Sequence, residues 1–196
     1  TLDRKTGAWQ HFRPSATDPD HPGSDIVYAI YEDAAGTFWI GTGDGFYRFD
    51  RRTGQFDRLP HNPPDPGDVK QERIYSITED RQGTLWLGTH GRGLSAFDPE
   101  TGDFTYHQHG WDPQTGFQQT FSLSSNFIGK VVEDASGTLW IGTQNGLNAY
   151  DPELGRWQRF QHNLADPTSL SHDWTTCLYL DRSDTLWIGT QGGGIN

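Results

Sequence analysis

The stretch Gly137-Thr138-Leu139-Trp140-Ile141-Gly142-Thr143-Gln144-Asn145-Gly146-Leu147-Asn148-Ala149-Tyr150-Asp151 has three relatives in the same chain. Gly36-Thr37-Phe38-Trp39-Ile40-Gly41-Thr42 runs into Gly45-Phe46 and ends at Phe49-Asp50. Gly83-Thr84-Leu85-Trp86-Leu87-Gly88-Thr89 runs into Gly93-Leu94 and ends at Phe97-Asp98. A fourth copy, Asp184-Thr185-Leu186-Trp187-Ile188-Gly189-Thr190, reaches Gly194-Ile195-Asn196. Measured at Gly45, Gly93, Gly146 and Gly194, the copies lie 48, 53 and 48 residues apart. Self-similarity at such a period marks a repeat architecture, so the unit is read before the chain.

Each unit opens on an apolar, β-branched or aromatic run: 26–31, 74–78, 127–132 and 174–180. A turn led by Asp follows, as in Asp33-Ala34-Ala35-Gly36, Asp80-Arg81-Gln82-Gly83 and Asp134-Ala135-Ser136-Gly137. Asp caps nearby amides at the start of such a turn, and Gly supplies the positive φ at its end. The fourth copy has Asp184 in the glycine's place; Asp tolerates the left-handed region better than most residues, so the same turn is expected there at some cost. The Trp-bearing run is the second strand, and a Gly-rich bend leads to the third. A second Asp turn (Asp50 to Gly54, Asp98 to Gly102, Asp151 to Gly155) leads to a short fourth strand at 56–59, 104–107 and 157–160. Four short strands in an antiparallel meander, repeated, read as blades of a β-propeller.

Composition agrees. Hydrophobic residues are 32 % of the 196, aromatics are 13 %, and there are 24 glycines. That suits sheets packed through Trp, Phe and Tyr rather than aliphatic helices. No stretch approaches the ~20 apolar residues of a membrane helix, and no signal peptide is present in this segment, so no membrane insertion is expected from it. A formal charge of −11 argues against nucleic acid and anionic membranes, which need clustered Lys and Arg. Cys177, the single cysteine, sits in an apolar run and is expected to be a buried small hydrophobe.

The expectation for the whole chain is one all-β propeller domain over 1–196, with units at about 1–47, 48–95, 96–148 and 149–196. Its four blades are expected to have four strands each. Aligning Gly194-Ile195-Asn196, then Thr1 onward, against Gly45 to Gly54 leaves no residue missing. The N- and C-terminal segments are therefore expected to complete one shared blade, with 9–12 as its outer strand. The alternative is a partial ring of a larger, typically seven-bladed, propeller. The Gly-rich bends and the long loops at 13–25, 60–73, 108–126 and 161–173 should share one rim. Loops on a rigid scaffold are where binding residues concentrate.

The pattern Glu79-Asp80, Gly83-Thr84-Leu85-Trp86-Leu87-Gly88-Thr89, Gly93-Leu94, Phe97-Asp98 and Thr101-Gly102 resembles the two-component regulator propeller repeat. Asp166-Pro167-Thr168-Ser169-Leu170-Ser171 is similar to that family's loop into the next blade. The resemblance implies a periplasmic or extracellular propeller that senses a ligand, often a carbohydrate, and passes the signal to a kinase. Fold transfers with such a likeness more readily than signalling does. This chain has four repeats and no kinase, receiver or membrane segment.

Trp39, Trp86, Trp140 and Trp187 recur in every unit and are expected in the interblade core. Residues that break the repeat are better binding candidates. The third long loop carries Trp111 and Phe117 among His and Gln residues, the aromatic and amide surface that sugar rings need. Asp44, His90, Arg92, Gln144, Asn145 and Gln191 lie in the bends, and Arg92, Gln144, Asn145 and Gln191 are expected to converge near the axis. His172, Asp173 and Trp174 precede an inner strand and should lie near the channel mouth. No nucleophile motif, phosphate loop or dinucleotide fingerprint is present, and His107-Gln108-His109 alone has close His spacing. No catalytic residue, metal or cofactor is expected. The leading expectation is a non-enzymatic binding or sensing propeller for a small molecule or oligosaccharide. A self-assembling structural scaffold, with self-association of chains, is the second reading, and a propeller lyase or glycoside hydrolase the third.

Overall fold

The structure is a computed structural model that describes residues 1–12, 23–61, 73–110 and 122–196. Among these residues there is no helix, hence none long and apolar enough to cross a membrane. Fifteen strands run in order: β1 (Val27–Glu32), β2 (Phe38–Thr42), β3 (Phe46–Phe49), β4 (Phe56–Arg58), β5 (Ile74–Glu79), β6 (Leu85–Thr89), β7 (Leu94–Phe97), β8 (Phe104–His107), β9 (Ile128–Glu133), β10 (Leu139–Thr143), β11 (Gly146–Asp151), β12 (Arg156–Phe160), β13 (Thr175–Leu180), β14 (Leu186–Thr190) and β15 (Gly194–Ile195). They form antiparallel sheets β1-β2-β3-β4, β5-β6-β7-β8, β9-β10-β11-β12 and β13-β14-β15, a propeller arc of successive blades.

One carboxylate organises each unit. Asp80 accepts the amides of Gln82 and Thr84 on Oδ1 at 3.0 and 2.9 Å, and the Trp86 indole N–H on Oδ2 at 2.7 Å. Asp33, Asp134 and Asp181 hold Trp39, Trp140 and Trp187 the same way, at 2.8, 2.8 and 2.9 Å. The turn and the orientation of the indole are therefore set together. Trp39 then packs on Phe46 of its own blade and edge-on to Phe97 of the next, with centroids 5.2 and 5.4 Å away. Trp86 meets Tyr150 of the third blade at 5.8 Å.

Glycine in the second strand sets how closely blades approach. A Cβ on Gly41 would lie 2.7 Å from the Ile74 carbonyl of the next inner strand, and one on Gly88 would lie 2.8 Å from Ile128. Carboxylates then bond blade to blade. Glu79 accepts the Ala34 amide at 3.0 Å, and Glu133 accepts the Arg81 amide at 2.9 Å while pairing with its guanidinium at 3.0 Å. The fourth blade has Leu180 where a glutamate would stand, and Asp184 accepts the Ala135 amide instead, at 3.1 Å. Asp184 does adopt the left-handed turn, at φ 61°, and it also supplies the missing interblade carboxylate.

Two expectations are corrected. The last sheet has three strands, and the N-terminal segment does not complete it. Leu2 bridges Trp9 in a local hairpin, and Phe12 packs against Phe49 and Phe56 of the first blade, at 5.0 and 5.9 Å. Inner strands touch in the order β1–β5–β9–β13, with no comparable contact from β13 back to β1, so the arc is a partial ring. Each neighbour turns by the angle that side-chain packing dictates, and among the described residues the three steps between four blades do not bring the end faces together. The same geometry corrects two burial assignments. Trp39 and Trp86 are 4 % exposed and Trp140 is half-buried, but Trp187 is 48 % exposed because no following blade covers its face. Cys177 lies on that face too and is exposed.

Asp80→Ala should remove three bonds and leave a buried indole N–H unpaired, costing roughly 2–4 kcal/mol. Urea denaturation of Asp80→Ala and of Asp181→Ala checks this, the latter being milder because Trp187 is open to water. Leu180→Glu should destabilise while Asp184 is present, through like-charge repulsion, and stop doing so in an Asp184→Gly background; a double-mutant cycle measures the sign.

Candidate functional site

The Gly-rich bends are built by threonine. Thr42, Thr89, Thr143 and Thr190 donate to the carbonyls of Gly45, Gly93, Gly146 and Gly194, at 3.1, 2.7, 2.8 and 3.2 Å. The first bend residue of each blade then reaches back to the residue before the inner strand. Gly43, His90, Gln144 and Gln191 donate their amides to the carbonyls of Ile26, Arg73, Phe127 and Trp174, at 2.9, 3.1, 3.3 and 2.8 Å. These bonds tie the first bend residue of each blade to the residue that precedes its own inner strand.

The following bend residues turn the other way, toward the outer strands. Asp44 accepts from Thr42 at 2.6 Å and from the Tyr47 hydroxyl at 2.9 Å, and its carbonyl accepts from Arg58. The Arg92 carbonyl accepts from Gln108, and Asn145 donates to Ser124 O while its own oxygens accept from Gln161. The Asn145 side chain is thus held toward Ser124 and Gln161 on the outer-strand side. Asp173 is also engaged: its carboxylate accepts the His162 amide at 2.6 Å and its carbonyl accepts Gly146 N. His172 is exposed and accepts the Trp174 amide on Nδ1 at 3.1 Å. Trp111 and Phe117 lie outside the described residues.

The loop histidines are structural. His109 and His162 bond through Nδ1 to the carbonyls of Leu123 and Leu170, each at 2.6 Å, which pins those leucines into the core. His107 is enclosed by Trp86, Tyr150 and Trp157, with centroids 5.7, 5.1 and 5.6 Å away, and this burial lowers its pKa to about 4.

What the residue reading missed lies on the inner edges. Every inner-strand pairing has a register shift; on β1, β5 and β13 it falls at Tyr28, Tyr75 and Thr176, and on β9 beside Gly129. Bulges of this kind re-aim side chains. Tyr28 and Tyr75 stack at 4.3 Å, Tyr75 tilts onto His90 at 5.2 Å, and His90 meets Phe127 edge-on at 4.6 Å. The row crosses three blades and ends at Phe127, which is exposed, as is Trp174 before the fourth inner strand. A hydrogen bond to Tyr75 raises the Tyr28 hydroxyl above its usual range, with burial adding to this and Arg73 opposing it. Burial, then the charge of Arg73, holds His90 below its ordinary value. The signal in the sequence was the aromatic at the second residue of two inner strands, Tyr28 of β1 and Tyr75 of β5. The row offers aromatic rings and an imidazole side by side. Among the described residues no group of His, Cys, Asp and Glu could hold a metal ion.

The fold defines a repeat β-propeller. The two-component regulator propeller repeat matches four times, at residues 21–44, 68–91, 122–145 and 169–192, and the chain belongs to that family. It is similar to the extracellular domain of a protein from B. thetaiotaomicron described as a hybrid two component system, at 25 % identity and a TM-score of 0.68. That match covers 86 % of this chain and 21 % of the other, so the chain spans about a fifth of that relative's length. A second such extracellular domain from B. thetaiotaomicron matches at 20 % identity and a TM-score of 0.54, over 99 % of this chain and 29 % of that one. Virginiamycin B lyase from Staphylococcus aureus shares the fold, at 14 % identity and a TM-score of 0.59, over 92 % of this chain and 56 % of the lyase. No curated protein matches the chain.

His107 should make stability depend on pH. Its folded-state value lies below the ~6.5 of an unfolded chain, so its contribution is complete above pH 6.5 and is lost as pH falls toward 4. Between pH 7 and pH 5 about 2 kcal/mol should go. Urea midpoints across that range check it, and His107→Phe should flatten the dependence.

Proposed function

We propose that this chain is a segment of an extracytoplasmic, non-enzymatic sensing propeller, one domain over 1–196, whose ligand is a carbohydrate met at the axial end of the bend rim. The observation that carries the reading is the continuous row Tyr28, Tyr75, His90 and Phe127, with Gln144 bonded through its amide to the Phe127 carbonyl. Aromatic faces take the apolar side of a sugar ring, and imidazole and amide groups bond its hydroxyls. The likeness to extracellular domains of hybrid two component systems supports a location outside the cytoplasm and a role in signalling. The engagement of Asp44 and Asp173 in bend and loop bonds supports binding over acid–base chemistry, because neither carboxylate is poised toward the rim.

The test is a thermal-shift and calorimetry panel of maltotetraose, cellotetraose, xylotetraose and a hyaluronan tetrasaccharide. At least one should bind, and His90→Ala and Trp174→Ala should each weaken it about tenfold, as truncating a central anchor does. Unaltered affinity in both variants, or no binding by any member, refutes the reading.

A further inference from the structure

The inner-edge row is interrupted at one step. The first two blades place Tyr28 and Tyr75 there and the fourth places Thr176, but the third has Gly129. Steric need does not explain this glycine. Its φ is not positive, it is exposed, and an added Cβ would meet only the carbonyl oxygens of Thr175, Gly142 and Thr176, at 3.5, 3.8 and 3.8 Å, which is ordinary contact. The second-strand glycines differ, since a Cβ on them would collide with the next blade. Gly129 therefore leaves room in the row without being required by the backbone. Glycine in a strand interior otherwise weakens the strand, and a close approach by another molecule is one of its uses.

The equivalent positions of the neighbouring blades carry Tyr75 and Thr176. Tyr75 is the preceding ring of the row, with its hydroxyl bonded to Tyr28. His90 and Phe127 stand above, joined by a backbone bridge and an edge-to-face ring contact. Thr176 is on the far side, exposed, its hydroxyl donating to Gly189 O at 3.1 Å and so presenting acceptor lone pairs outward.

We infer that the place beside Gly129 seats one pyranose ring of the ligand, which continues the Tyr28–Tyr75 stack where a third tyrosine would otherwise stand. Its apolar face lies toward Tyr75, and its hydroxyls reach His90 and Thr176. This inference rests on the carbohydrate reading above.

Gly129→Tyr fills the place with the side chain that the first two blades carry, and Gly129→Ala leaves it open. With whichever tetrasaccharide of the panel binds, calorimetry should show at least about a tenfold loss for Gly129→Tyr and less than about threefold for Gly129→Ala, at an unchanged melting temperature. Should the tyrosine variant fail to fold, Tyr75→Ala removes the stacking face without adding bulk and should weaken the same binding about tenfold. Wild-type affinity in Gly129→Tyr, or in Tyr75→Ala, overturns the seat and leaves the carbohydrate reading standing. Failure of all four saccharides to bind the wild type overturns both.

Discussion

A carboxylate shared between a turn and an indole is the interaction on which every blade depends. In each unit the aspartate spends one oxygen on turn amides and the other on a tryptophan six residues later. Neither half could be kept alone. Without the amides the aspartate would rotate freely, and without the indole the tryptophan would have a polar N–H facing an apolar neighbour, which is costly when buried. In the third and fourth blades the bonds also favour the ionised acid. At Asp134 burial opposes charge, but Ser136, Trp140 and the turn amides outweigh it and keep the carboxyl below its usual range. At Asp181 the Trp187 indole leads, followed by the amides of Thr185 and Ser183.

Blades join by contacts that reach only the adjacent unit. Second-strand glycines let the next inner strand come close, and one carboxylate per junction accepts an amide across the gap. The fourth blade shows that the bond matters more than the residue that makes it. Leu180 replaces the glutamate, and Asp184 restores the acceptor from a different place in the unit, at the expense of a left-handed backbone. A reading of the turn alone sees only the strain.

Strands, turns and the recurring tryptophans were legible because each is decided within a few residues. Asp80-Arg81-Gln82-Gly83 can only be a turn, and Leu85-Trp86-Leu87 only a strand between neighbours. Ring closure was not legible, since it depends on small rotations summed over blades that no local pattern encodes. The same gap explains Trp187 and Cys177, whose residue types predict burial but whose face has no neighbour here. The rim was less legible: Asp44 and Asn145, each one step further along a bend than Gly43 and Gln144, are bonded toward their own outer strands. Tyr28 and Tyr75 were hidden because a bulge breaks the alternation by which facing is normally inferred.

The four indole hydrogens also form a built-in gauge of motion. All are tied to the same chemical partner at nearly the same distance, so any difference in their solvent exchange reflects how often each blade opens, rather than how strongly its proton is held. Trp39 and Trp86 sit in covered junctions, Trp140 is partly covered and Trp187 faces water. Four resonances in one spectrum would thus rank the fluctuations of the arc from its packed middle to its open end.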